Sequence, residues 1–85
     1  MKLILYSKPG CHLCEGLQEK LEQVQSIPIE LEVRDITTNE VWYDAYQFEI
    51  PVLFRGGVNP TQLPRLSPRA SVAQVEKMLQ QYENE

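Results

Sequence analysis

The sequence has little of what marks the more specialised protein classes. Its longest uninterrupted apolar run is Leu3–Tyr6, far short of the roughly 20 residues a membrane span requires. One lysine followed by that short stretch is too brief for the core of a secretory signal. No membrane-bound or exported form is expected, and the chain reads as cytoplasmic. A basic excess is also missing: the net charge is −4, which argues against a nucleic-acid groove, where a basic face supplies most of the affinity. Cysteine is scarce, with two residues against the roughly four to eight of a disulfide-stapled secreted miniprotein. Internal repeats and low-complexity linkers are absent, and nothing in the sequence demands more than a monomer.

What is present fits a single domain over residues 1–85, at the small end of the range for independently folding domains. Hydrophobic residues make up 42% and charged residues 24%, the balance of a soluble globule. The charge is uneven. Residues 1–49 carry four basic and nine acidic side chains, whereas residues 50–85 carry four and three, with Arg55, Arg65 and Arg69 near one another.

Lys2–Tyr6 is apolar through its middle, as suits a central strand buried on both faces. Ser7-Lys8-Pro9-Gly10 breaks it. From Cys11 the pattern turns helical, with Leu13, Leu17, Leu21 and Val24 as the inner stripe. Ser26-Ile27-Pro28 ends that helix, and Ile29, Leu31 and Val33 then alternate with Glu30, Glu32 and Arg34 as a half-buried strand. Thr37-x-x-Glu40 reads as a capping box opening a second helix, with Val41, Trp42, Ala45 and Tyr46 on its inner face. Trp42, Tyr43, Tyr46 and Phe48 read as packing residues more than as a binding box. Val52-Leu53-Phe54 reads as a buried strand, and Gly56-Gly57 as a tight turn into an antiparallel fourth strand between Val58 and Leu66. Pro60 and Pro64 suit an edge position there. Ser71-x-x-Gln74 is a second capping box, and Val72, Val75, Met78, Leu79 and Tyr82 mark the inner face of a closing helix. The first strand–helix–strand should be a right-handed parallel crossover. The fold class is therefore α/β, a four-stranded mixed sheet with three helices, ordered βαβ then αββα.

The strongest chemical signal is Cys11-x-x-Cys14 at the junction of the first strand and first helix. A bridge between residues three apart closes almost no loop and adds little stability through chain entropy, so the pair points to chemistry. The first helical turn leaves backbone N–H groups unpaired and carries the positive end of the dipole. A sulfur there is stabilised as thiolate, the form that attacks disulfides. Lys8 adds positive charge in the same direction. Cys11, at the helix entrance, is expected to be the exposed nucleophile. Cys14, one turn in, is expected to be the shielded resolving thiol.

Tyr6-Ser-Lys-Pro-Gly-Cys-His-Leu-Cys14 after a buried strand, followed by Ile50-Pro51-Val52-Leu53, resembles the glutaredoxin branch of the thioredoxin superfamily, and in particular its small bacterial glutaredoxin-like members. The resemblance spans most of the chain in element order, is specific at residues 6–14 and 50–53, and weakens beyond Gly57. It implies a thioredoxin-like fold and a cis peptide before Pro51, with that proline beside the cysteine pair. It implies that the Ile50 backbone pairs with substrate or glutathione. One departure stands out. Where glutathione-binding members carry a second Gly-Gly and an acidic residue, this chain reads Ser67-Pro68-Arg69-Ala70-Ser71. The amine of the glutathione γ-glutamyl group loses its carboxylate partner there, and Arg69 with the helix start at Ser71 offers a carboxylate site in its place.

The resulting expectation is a thiol–disulfide oxidoreductase with Cys11 and Cys14 as catalytic residues. Lys8, Tyr6, His12, Ile50 and Pro51 are the substrate-binding candidates. No tightly bound cofactor or metal is expected, since a tetrahedral zinc site needs four ligands and only His12 and carboxylates accompany the cysteines. The partners expected are a disulfide-containing protein or small molecule, with glutathione or a thioredoxin-type reductase as electron source. The competing reading is a non-catalytic thioredoxin-fold adaptor whose cysteine pair is a redox-sensitive latch.

Overall fold

The computed structural model describes residues 1–83; the last two positions of the expected 1–85 domain lie outside the described residues. Strand β1 (Lys2–Ser7) is the centre of the molecule, buried from Leu3 to Ser7. It pairs in parallel with β2 (Glu30–Asp35) on one side and antiparallel with β3 (Val52–Arg55) on the other. A short β4 (Thr61–Gln62) closes the sheet against β3, giving the order β2-β1-β3-β4. Helices α1 (His12–Gln23), α2 (Glu40–Tyr46) and α3 (Val72–Tyr82) complete it, with a 3-10 turn at Ile36–Thr38.

Alternation along β1 and β3 sorts the core into two layers. Leu3, Leu5 and Leu53 face α1 and α3, where Leu21, Val24, Val75, Met78 and Leu79 meet them. Ile4, Tyr6 and Val52 face the other way, toward Ile36 and the partly buried Trp42, Tyr46 and Phe54. The first layer is the thicker one. Leu3, Leu5, Val75 and Leu79 are fully enclosed in it, each contributing about 1.5–3 kcal/mol of apolar burial. The second is covered by a single two-turn helix and relies on aromatic rings for area. Tyr6 stacks on Tyr46 at 4.4 Å and meets Trp42 and Phe54 edge to face.

Four local expectations are corrected. Leu13 stands 48% exposed, because the inner face that fits the helical period runs through Cys14, Leu17, Leu21 and Val24 instead. The second helix is opened by Asn39, whose side chain accepts from the Trp42 N–H. Thr37 belongs to the preceding turn, which is capped by Asp35. Val41 and Ala45 face outward from that helix, and Phe48 is 90% exposed beyond it. Gly56-Gly57 begins a longer connection from β3 to β4 and is not by itself a two-residue turn, although the antiparallel pairing of Phe54 with Gln62 stands. The Ser71–Gln74 capping box is present in both directions.

Candidate active site

The chain leaves β1 at Ser7 and reaches α1 through a four-residue turn. Gly10 there has φ +81, a backbone state that side chains with a Cβ rarely adopt. The Cys11 N–H closes the turn on the Lys8 carbonyl at 3.3 Å. Cys11 is then the N-cap of α1, a position normally held by an oxygen-bearing side chain. Its Sγ accepts the Cys14 N–H at 3.2 Å, so the sulfur takes the role of the capping acceptor at the positive end of the helix dipole. Cys11 is half-buried, whereas Cys14 is fully enclosed. The two are joined as a disulfide with their Cα atoms 5.3 Å apart.

The other expected site residues divide. His12 is almost wholly solvent-exposed, with Nδ1 3.5 Å from the Glu15 carboxylate. Lys8 is exposed at the first position of the turn. The Ile50–Pro51 bond is cis, and Pro51 lines a groove of about 270 Å³ together with His12 and Leu13. The Ile50 N–H donates to the Tyr46 carbonyl at 3.1 Å, so any backbone pairing with substrate at this residue falls to its carbonyl. Tyr6 is not brought to the groove. It is buried across the sheet, and its hydroxyl accepts from Arg34 at 3.0 Å.

Sequence reasoning missed several residues of this neighbourhood. The groove continues along α1 past Gly16 and Leu17 to Lys20, and its far wall is the segment Leu63–Pro68. Two cations tie that wall down. The Lys20 ammonium donates to the Pro68 carbonyl at 2.7 Å, and Arg65 donates to the Glu49 carbonyl. At the start of α3 the N–H groups of Ser71 and Gln74 are engaged by each other's side chains, and the Arg69 N–H by Ser67 Oγ. This helix end is thus closed largely on itself.

Across the sheet, Arg34 lies over the rings of Tyr6 (5.6 Å) and Trp42 (5.1 Å) and bonds to Glu32. That hydrogen bond holds the Glu32 carboxyl below its usual range and raises the Arg34 guanidinium in turn. Burial pushes the Tyr46 phenol up. Among the described residues no group of three or more His, Cys, Asp or Glu side chains is arranged to hold a metal ion, and no helix is long and apolar enough to cross a membrane.

Residues 2–80 match the family model of the glutaredoxin-like domain (DUF836). Among solved structures the chain is similar to a structural-genomics target protein from X. campestris, at 23% identity and a TM-score of 0.66, covering 93% of this chain and 96% of that one. It is similar also to thioredoxin 1 of the thermophilic eubacterium Thermosipho africanus, at 19% identity and a TM-score of 0.65, covering 98% and 94%. At these identities the two structures speak for the fold, which is thioredoxin-like.

Proposed function

The chain belongs to the glutaredoxin-like domain family, and we propose that within it the Cys11–Cys14 pair works as a dithiol that reduces disulfides in a reducing, cytoplasmic setting. The observation that carries this reading is the placement of the two sulfurs. One is half-exposed, at a helix N-terminus and accepting a backbone N–H; the other is enclosed one turn away. The Cys11 thiolate attacks one sulfur of the substrate disulfide, forming a Cys11–substrate bond and releasing the first substrate thiolate. The Cys14 thiolate then attacks Cys11 Sγ, the second substrate thiolate leaves, and two electrons have passed from the dithiol to the substrate. An external thiol, glutathione or a reductase dithiol, returns the oxidised pair to the starting state. Lys8 and His12 supply positive charge beside the attacking sulfur, His12 when protonated, and the Ile50 carbonyl and Pro51 shape the approach to it.

The test is direct. Reduced wild-type protein should reduce a peptide disulfide, and Cys11→Ser should abolish the reaction. Cys14→Ser should accumulate the mixed disulfide at Cys11, visible by mass spectrometry as one added peptide. If wild type reacts no faster than Cys11→Ser, the oxidoreductase reading fails and the redox-sensitive adaptor takes its place.

A further inference from the structure

The two edges of the sheet are finished differently. β4 is two residues long and lies between Pro60 and Pro64, and a short edge strand with prolines beside it is blunted against pairing. β2, at the other edge, is six residues long and contains no proline, glycine or lysine. Its pairing with β1 runs unbroken from Glu30 to Asp35, so no bulge turns it aside. A strand paired on one side only presents a row of outward N–H and carbonyl groups. Among the described residues, no hydrogen bond from elsewhere in the chain reaches that row between Leu31 and Arg34. The bonds nearby lie at its two ends, from the Glu30 N–H to the Met1 carbonyl and from the Thr38 hydroxyl to the Asp35 carbonyl.

The charges along β2 match a second copy of the same strand. When two identical strands meet antiparallel about a two-fold axis, residues directly opposite each other share a face, so the axis passes at a residue. About Val33, Glu32 of each copy falls opposite Arg34 of the other, and the contact gains two pairs of opposite charge. About Leu31, Glu30 falls opposite Glu32. About Glu32 or Arg34, a charge falls opposite itself. Like charges so placed are destabilising, which leaves the register at Val33. Val33 is 43% exposed, a β-branched side chain standing at solvent where the two copies meet. Leu31 falls opposite Asp35, whose carboxylate is already held by the N–H and hydroxyl of Thr37.

We propose that two copies of this chain pair antiparallel through β2 about Val33, joining their sheets into one. The sequence by itself asks for no more than a monomer; the open edge supplies the reason for a second copy. The contact uses neither cysteine and does not depend on the exchange activity. A strand-on-strand contact belongs at the low end of interface sizes, below about 1,200 Å², so the pairing is reversible and grows with concentration.

The experiment is sedimentation equilibrium of the full chain, kept in reductant so that no disulfide joins the copies. The mass should rise with concentration from that of one chain toward that of two. Val33→Lys removes the apolar pair at the axis and sets like charges opposite each other, and should weaken association about tenfold. Val33→Thr keeps a β-branched strand former there and should associate as wild type does. A measurement needing no variant decides the matter even where Val33→Lys fails to fold: amide exchange of wild type at high against low concentration. Associated protein should exchange more slowly at alternate residues of β2, with β4 unchanged. The proposal is overturned by the mass of one chain at every concentration, by association that a folded Val33→Lys leaves undiminished, or by protection gained at β4 or along the groove in place of β2.

Discussion

Arg34→Met tests whether the thin layer of the core depends on a cation. In the native structure the guanidinium donates to the Tyr6 hydroxyl at 3.0 Å, lies 5.6 and 5.1 Å from the rings of Tyr6 and Trp42, and bonds to Glu32. A hydrogen bond from a charged donor contributes about 1.5–3 kcal/mol, and the lower end applies because the Arg34 side chain is 27% exposed. Each exposed cation–π contact adds about 0.5–1 kcal/mol, whereas the solvent-screened pair with Glu32 adds little. These overlap, since one side chain makes all of them. Methionine retains some of the stem's apolar packing, so the net expected loss is roughly 2–3 kcal/mol. For a domain of this size that lowers the melting temperature by roughly 8–24 °C. Urea and thermal unfolding followed through the fluorescence of Trp42, the chain's one tryptophan, reads the loss directly. Arg34→Lys keeps the charge without the planar stacking group and should recover less than half of it. Arg34→Met within about 0.5 kcal/mol of wild type, the range of an ordinary surface substitution, would refute the reasoning. Below its melting transition the variant should exchange disulfides at the wild-type rate, because this cluster lies across the sheet from the groove.

Two further outcomes are expected, one at the start of α3 and one at the partner of Arg34. Ser71→Ala removes the hydroxyl that accepts the Gln74 N–H and should cost about 1 kcal/mol, read as a lower urea midpoint with an unchanged slope. The Glu32 carboxyl sits below its ordinary value near 4.5, chiefly through its hydrogen bond to Arg34. Its contribution to stability is therefore complete above that ordinary value and is lost as pH falls through the depressed one. The stability difference between wild type and Glu32→Gln should shrink on going from pH 7 toward pH 3, and Arg34→Met should flatten that dependence.

Much of the architecture could be read from the chain because its signals are local. β1 declared itself by an apolar run, α3 by a capping box and an i, i+3, i+4 stripe, and the cysteine pair by its spacing at a strand–helix junction. The missed features depend on where a helix starts or on which residues a register brings together. The inner face of α1 runs through Cys14, as expected, and at 100° per residue this leaves Leu13 turned outward. Asn39 is the cap because Thr37 is drawn into the preceding turn, where its hydroxyl as well as its N–H donates to Asp35. Parallel pairing sets Arg34 beside Tyr6, which moved that tyrosine from a candidate ligand contact into the second core layer. The groove wall at Leu63–Pro68 carries no periodic pattern, and its ties through Lys20 and Arg65 end on backbone carbonyls that no side-chain motif announces. Gly16 alone among the missed residues left a readable trace, as a glycine where a helix former would have been stronger.

The strand order also fixes a sequence of events as the chain is made. β1 pairs with β2 after one crossover, but its other neighbour is roughly fifty residues further along, and pairings of that span close late. The groove wall and the helix that covers Leu3 and Leu5 come later still. On the ribosome, where segments emerge from the N-terminus onward, both cysteines are therefore in the open before the groove wall and α3 exist. If the pair exchanges disulfides as proposed, the newborn dithiol has that chemistry before the last third of the chain has built the wall beside it, and it depends on the thiols around it to stay unpaired.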